Sequence, residues 1–118
     1  MRRNKYNARK TTVCGHTFDS KKEAERDRVL LSKEQAGEIS ALTIHPRFEI
    51  MPKFKDRTGK THRSINYVGD FEYIEEPDKT WVVEDVKGVQ TQVFRIKKKL
   101  FLREYPGVDF RIVEKTNE

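Results

Sequence analysis

The stretch 81-WVVEDVKG-88 decides how the chain is read. Trp81, Val82 and Val83 announce a buried strand and Gly88 ends it, yet Glu84, Asp85 and Lys87 follow the apolar run directly. An ionised carboxylate in an apolar setting is strongly unfavourable unless a cation or hydrogen-bond donors compensate it. On a strand, alternation places Asp85 and Lys87 on one face, about 7 Å apart along the chain, and Glu84 on the other with Val82 and Val86. A bulge at this point would exchange the roles of Glu84 and Asp85.

Working outward, 64-SINYVGDFEYIE-75 and the turn 76-EPDK-79 precede this strand and predict an antiparallel hairpin with it. Ile65, Tyr67, Phe71 and Tyr73 are expected on one face, and Val68, Asp70 and Ile74 on the other. If the turn sets the pairing, Asp70 comes within reach of Asp85. Two adjacent carboxylates repel, and one pKa rises unless a cation sits between them. Mg²⁺, or Mn²⁺, accepts such hard oxygen ligands, so Asp70, Asp85 and the Val86 carbonyl are the candidate metal ligands. Lys87 would then orient a water or neutralise negative charge on a phosphate; the alternative is a plain salt bridge from Lys87 to Asp70 or Asp85.

Two helices flank these strands. In 19-DSKKEAERDRVLLSKEQAG-37, Ser20 with Glu23 fits a capping box and Gly37 fits a stop. Ala24, Leu30 and Leu31 form the apolar stripe, with Glu23 and Asp27 projecting into the same sector. Glu23 is therefore either a capping carboxylate or a further site acid. In 91-TQVFRIKKKLFLREYPG-107, Thr91 is the expected N-cap and Pro106-Gly107 the stop, while Val93, Phe94, Leu100 and Phe101 define the buried face. Lys97 lies within that sector, either to reach a phosphate or to pack its stem and send its amine to solvent. Gln90 either lines the site or belongs to the helix start. Between the helices, 39-ISALTIHPRFEIMP-52 predicts a strand pair or bent strand, 55-KDRTGKTHR-63 a basic turn, and 108-VDFRIVE-114 a last strand.

Composition bounds the function. The 118 residues, 35% hydrophobic with seven Phe, four Tyr and one Trp, suffice for one domain, taken as 13–118 behind a basic arm at 1–12. The arm carries Arg2, Arg3, Lys5, Arg9 and Lys10 with no acid; it either contacts phosphates or solubilises the chain. A formal net charge of +6 favours a polyanionic partner, nucleic acid first. No apolar run is long enough for a membrane span, and no hydrophobic leader follows the basic start, so a cytoplasmic protein is expected, with no membrane partner. Cys14 stands alone, which excludes an intrachain disulfide and a thiolate zinc cage. His16, His45 and His62 show no metal-ligand spacing and read as scattered surface or loop histidines.

The whole order, an inward Glu23 on a helix, Asp70 on a hairpin strand, then an apolar strand ending 84-EDVKG-88, resembles the PD-(D/E)xK nuclease superfamily over about Phe18 to Val113. More closely, 4-NKYNARK-10, 15-GHTFDSKKEAERD-27, 67-YVGDFEY-73 and 84-EDVKGVQT-91 with the lysine-rich helix look like a family of small phage and prophage proteins. The resemblance implies an α/β, restriction-endonuclease-like core: a central mixed sheet of four to five strands between two helices, in the order α-β-β-β-α-β. It implies Asp70 and Asp85 as metal-binding acids, Lys87 as the motif lysine and Glu23 as the helix glutamate present in a subset of members. Gly69 stands where the nominal motif has proline. The activity implied is Mg²⁺-dependent endonucleolytic hydrolysis of DNA, with the arm, the basic turn, Gln90, Lys97 and Lys98 on the DNA. Small members act on branched DNA such as Holliday junctions, usually as homodimers; for a phage-encoded chain the setting is recombination or replication in the host cytoplasm. A nicking or single-strand nuclease of phage replication or packaging, and a non-catalytic DNA binder of the same fold, are the alternatives.

Overall fold

The computed structural model describes the backbone of residues 11–13 and 16–18 and all of 20–114; of the expected arm at 1–12, residues 1–10 lie outside the described residues, and Thr11 and Thr12 belong to a strand. Strands β1 (Thr11–Val13) and β2 (His16–Phe18) pair antiparallel ahead of helix α1 (Lys21–Gln35). The Ser20 hydroxyl caps α1 by accepting the Glu23 N–H at 3.1 Å, and beyond its end Gly37 takes φ +78°, a left-handed conformation open to glycine without a Cβ penalty. The inward face of α1 is Glu23, Ala24, Asp27 and Leu30, so the two expected acids are indeed buried.

Strands β3 (Ile39–Ile44), β4 (Arg47–Met51), β5 (Phe54–Lys55), β6 (Thr61–His62), β7 (Ile65–Val68), β8 (Phe71–Glu75) and β9 (Thr80–Lys87) follow, then helix α2 (Gln92–Glu104) and β10 (Asp109–Glu114). The fold is α/β, with a mixed four-stranded sheet in the order β10-β9-β8-β3 and two helices. β8 and β9 form the antiparallel hairpin around 76-EPDK-79, pairing Glu75 with Thr80 and Phe71 with Glu84. β10 lies parallel to β9, as the α2 crossover requires. Counted without the small ribbons, α1-β3-β8-β9-α2-β10 has the expected α-β-β-β-α-β order.

The sheet separates two cores. Val82 and Val86 of β9 join Ala24, Leu30, Ile39, Phe71 and Tyr73 on the α1 side. Val83 joins Ile50, Tyr67, Phe94 and Phe101 on the α2 side, where the Phe48 ring packs tilted against Phe101 with centroids 4.8 Å apart. Burial of these large side chains supplies the main stabilisation, about 1.5–3 kcal/mol for each fully buried one.

Two expectations change. Residues 64–75 are not one strand: β7 pairs with β4, β8 with β3 and β9, and the chain passes from one to the other at Gly69-Asp70. Ile65 and Tyr67 therefore do not share a face with Phe71 and Tyr73: Tyr67 lies in the α2-side core, Phe71 and Tyr73 in the α1-side core, and Ile65 is exposed. Gly69 permits the crossing, because a Cβ there would stand 3.1 Å from Val83 Cγ1 and 3.5 Å from Pro46 Cγ. On α2, Phe94 and Phe101 are buried, but Val93 is 63% exposed, so it does not belong to the packed face.

Candidate metal and phosphate site

Each charge in 84-EDVKG-88 has its own compensation. Glu84, fully buried toward α1, takes two hydrogen bonds from the Arg26 guanidinium at 2.8 and 2.7 Å and a third from the Tyr73 hydroxyl. That bidentate grip makes Glu84 a structural acid. Asp85, on the opposite face, accepts from the Tyr67 hydroxyl through Oδ2, and its Oδ1 lies 3.1 Å from Lys87 Nζ. Asp85 Oδ1 is nevertheless buried without a hydrogen bond of acceptable geometry. Glu84 and Asp85 thus divide between the two faces as alternation requires, with no bulge in the β9 register.

Asp70 stands in the crossing between β7 and β8, directly before Phe71. Its N–H donates to the Glu84 carbonyl at 3.0 Å, its carbonyl accepts the His45 N–H at 3.0 Å, and its Oδ2 accepts the Val86 N–H at 2.6 Å. These three bonds place its side chain against β9, within hydrogen-bonding reach of the Asp85 carboxyl. Burial, then the Asp85 and Glu23 charges, push Asp70 up to about 8, against the pull of the Val86 N–H. The cation-free Asp70–Asp85 pair therefore holds on to a proton well above the ordinary carboxylate range.

Glu23, in the first turn of α1, approaches from the other side. Its Oε1 lies 2.7 Å from His45 Nε2, and one ligand atom each of Glu23, His45 and Asp70 falls within 4.8 Å of the others. His45, expected to be a surface or loop histidine, is exposed in the bend before Pro46 and in addition has its ring turned onto the acids: it has φ +52°, a sparsely populated conformation for a side-chain-bearing residue. The residue preceding Pro46 carried no spacing motif because its partners are 22 and 25 positions away in the chain. His62 likewise is engaged, 2.8 Å from Asp56 Oδ2.

The donor set suits a divalent cation: the Glu23 and Asp70 carboxyls and the His45 imidazole stand together, and Asp85 lies within hydrogen-bonding reach of Asp70. Beside it, a pocket of about 240 Å³ is lined by Asp85, Lys87, Thr91, Phe94 and Lys97, among others. Lys87 Nζ sits 4.7 Å from the centroid of the Phe94 ring, which holds the amine at the pocket wall. Thr91 caps α2 through its hydroxyl, 3.1 Å from the Phe94 N–H. Gln90 is half-buried in the turn before α2 and Lys98 half-buried on the helix, while Arg2, Arg3, Lys5, Arg9 and Lys10 fall outside the described residues. Among the described residues no helix is long and apolar enough to cross a membrane.

Comparison with curated proteins and with solved structures gave no match. A family model described as "Protein of unknown function (DUF1064)" matches residues 3–117, and the chain belongs to that family.

Proposed function

We propose that the protein is a metal-dependent endodeoxyribonuclease of the PD-(D/E)xK type, acting on branched DNA of the Holliday-junction kind in phage recombination or replication. The observation that carries this reading is the approach of Asp70 to both Asp85 and Glu23, with Asp85 itself lining a pocket shared with Lys87 and Lys97. Pure phosphate binding has no use for buried carboxylates facing the same ligand.

Asp70, Asp85 and Glu23, with the Val86 carbonyl, would hold Mg²⁺ or Mn²⁺, and His45 adds a nitrogen donor. The ion supplies Lewis acidity, lowering the pKa of water and offsetting charge on a phosphoryl oxygen. Lys87, fixed between Asp85 and the Phe94 ring, donates hydrogen bonds toward the phosphate as negative charge grows on its oxygens. Lys97, on the same pocket wall, holds the neighbouring phosphate. Arg26 and Glu84 take no part in the chemistry and keep β9 seated on α1.

A homodimer, which would cut two strands symmetrically, is supported by the exposed side chains of Val93 and Ile96 in the first turns of α2 and of Val89 in the turn before it. The setting proposed is the host cytoplasm.

Incubation with labelled four-way junction, flap, nicked and plain duplex DNA, with Mg²⁺, Mn²⁺ or EDTA, tests the proposal. Metal-dependent symmetric cutting of the junction is expected, and Asp85→Asn should abolish it with DNA binding retained or tightened. Cutting confined to the nick or to single strands would replace the resolvase by a nickase, and binding with no cutting of any substrate would leave a passive DNA binder.

A further inference from the structure

We infer that the β-ribbon running out from the site, residues 47–68, docks in the major groove of duplex DNA beside the scissile phosphate. This deepens the endonuclease reading, and rests on it only for the position of the scissile phosphate.

The ribbon is continuous in register. β4 pairs with β7 from Arg47–Val68 to Met51–Ile65, with one bulge, and β5 pairs with β6 at Phe54–His62 and Lys55–Thr61. Two residues separate Met51 from Phe54 and two separate His62 from Ile65, so the inner and outer ladders belong to one two-stranded arm. Its base is anchored: Phe48, Ile50 and Tyr67 pack in the α2-side core. The same base adjoins the site, since Gly69 N–H bonds the Pro46 carbonyl at 2.9 Å and His45 N–H bonds the Asp70 carbonyl at 3.0 Å. From Arg47 to Arg57 the arm reaches at most about 33 Å, close to one turn of B-DNA.

Charge and shape point to the same partner. Residues 47–68 hold Arg47, Lys53, Lys55, Arg57, Lys60 and Arg63 against Glu49 and Asp56, a net +4 in a chain of formal charge +6. From Lys53 to Arg63 every residue is exposed except Asp56 and His62, which are half-buried. A two-stranded ribbon is one of the elements that the major groove, about 12 Å wide, admits. The one acid near the tip is spent internally: Asp56 Oδ1 accepts from the Thr58 N–H at 2.8 Å, the Thr58 hydroxyl at 2.6 Å and the Lys60 N–H at 3.2 Å, while Oδ2 meets His62. Those bonds hold Asp56 down to about 2, and Gly59 closes the turn at φ +86°. The tip is therefore fixed before any ligand arrives, which lowers the ordering cost of binding. Phe54, 45% exposed, stacks on His62 at 4.8 Å and stiffens the face opposite Lys55.

Fluorescence anisotropy with the full chain carrying Asp85→Asn, on duplex and single-stranded DNA across a salt series, tests the assignment. Replacing Lys55, Arg57 and Lys60 by Ala together should lower the duplex salt slope by about 2.7 and the affinity by about tenfold or more. The matched control, Lys21→Ala with Arg28→Ala and Arg103→Ala, removes the same charge from the two helices and should change the slope by less than about 1. Single-strand binding should fall much less than duplex binding. Equal losses from both triple variants, or equal losses on both DNAs, would overturn groove docking; so would a parent that binds no DNA, which would sink the endonuclease as well. Absence of cleavage with the ribbon effect intact would remove the hydrolase and keep the ribbon.

Discussion

The Asp70 carboxylate is fastened to the strand that carries its partner: Asp70 Oδ2 accepts the Val86 N–H at 2.6 Å, one residue beyond Asp85. A shift of β9 against the β7–β8 crossing would therefore move both acids together. The bond also spends one oxygen of Asp70 on backbone that needs a partner and leaves the other among Asp85, Glu23 and His45. Sheet geometry, rather than flexible side chains, sets the spacing of the acids.

Stability of the cation-free protein should fall as pH rises. The folded pKa of Asp70, about 8, lies above its ordinary value of 3.8, so the folded state keeps a proton that the unfolded chain releases. Its stabilising contribution is complete below the ordinary value and is lost as pH rises through about 8. A divalent cation bound at Asp70 would take the place of that proton, so its stabilising effect should grow with pH over the same window. Melting temperatures in EDTA and in Mg²⁺ between about pH 5 and pH 8 measure both slopes; parallel curves would mean that no cation binds at Asp70.

Arg26→Ala should destabilise the fold by about 3 kcal/mol, because it strands a fully buried Glu84 carboxylate with only the Tyr73 hydroxyl. The double change Arg26→Met with Glu84→Met should recover most of the loss, since the pair then becomes apolar surface between α1 and β9. Asp85→Asn should cost far less, as its amide oxygen can still accept the Tyr67 hydroxyl and a negative charge is removed from a buried site. Urea unfolding at a single pH in EDTA separates the three; a larger loss for Asp85→Asn than for Arg26→Ala would make Asp85 the structural acid.

The sequence showed the two helices, their caps, the β8–β9 hairpin and the division of Glu84 from Asp85, because each follows from periodicity or turn chemistry over a few residues. The face change at Gly69-Asp70 was not legible, since Tyr67, Phe71 and Tyr73 keep the same parity while the chain passes from one pair of strands to another. Arg26 escaped because a cation on a mixed helix face gives no sign of a partner 58 residues away. His45 escaped for a related reason: the left-handed backbone that turns it onto Glu23 is a product of tertiary closure, not of local composition.

His45 should bias the site toward metals that accept nitrogen. Imidazole suits first-row transition ions better than Mg²⁺, which prefers oxygen. His45→Ala should therefore weaken Mn²⁺ and Co²⁺ binding by about tenfold and Mg²⁺ binding by less than about threefold. Titration calorimetry gives the affinities, and the absorption bands of bound Co²⁺ should move when the nitrogen donor is lost. Unchanged bands and affinities would reduce His45 to an ion-pair partner of Glu23.

The two pocket lysines should separate kinetically. Lys87 is held at 3.1 Å from Asp85 and over the Phe94 ring, close to the acids. A cation so fixed acts most strongly where charge develops in the transition state, so Lys87→Met should lower kcat by on the order of 100-fold with KM nearly constant. Lys97, one helical turn beyond Phe94 on the same pocket wall, would contact ground state and transition state alike. Its replacement by Met should raise KM about three- to tenfold and leave kcat unchanged, with a shallower salt dependence of DNA binding. Steady-state rates on the best-cut DNA distinguish the two, and a pure KM effect at Lys87 would demote it from the chemistry to phosphate binding.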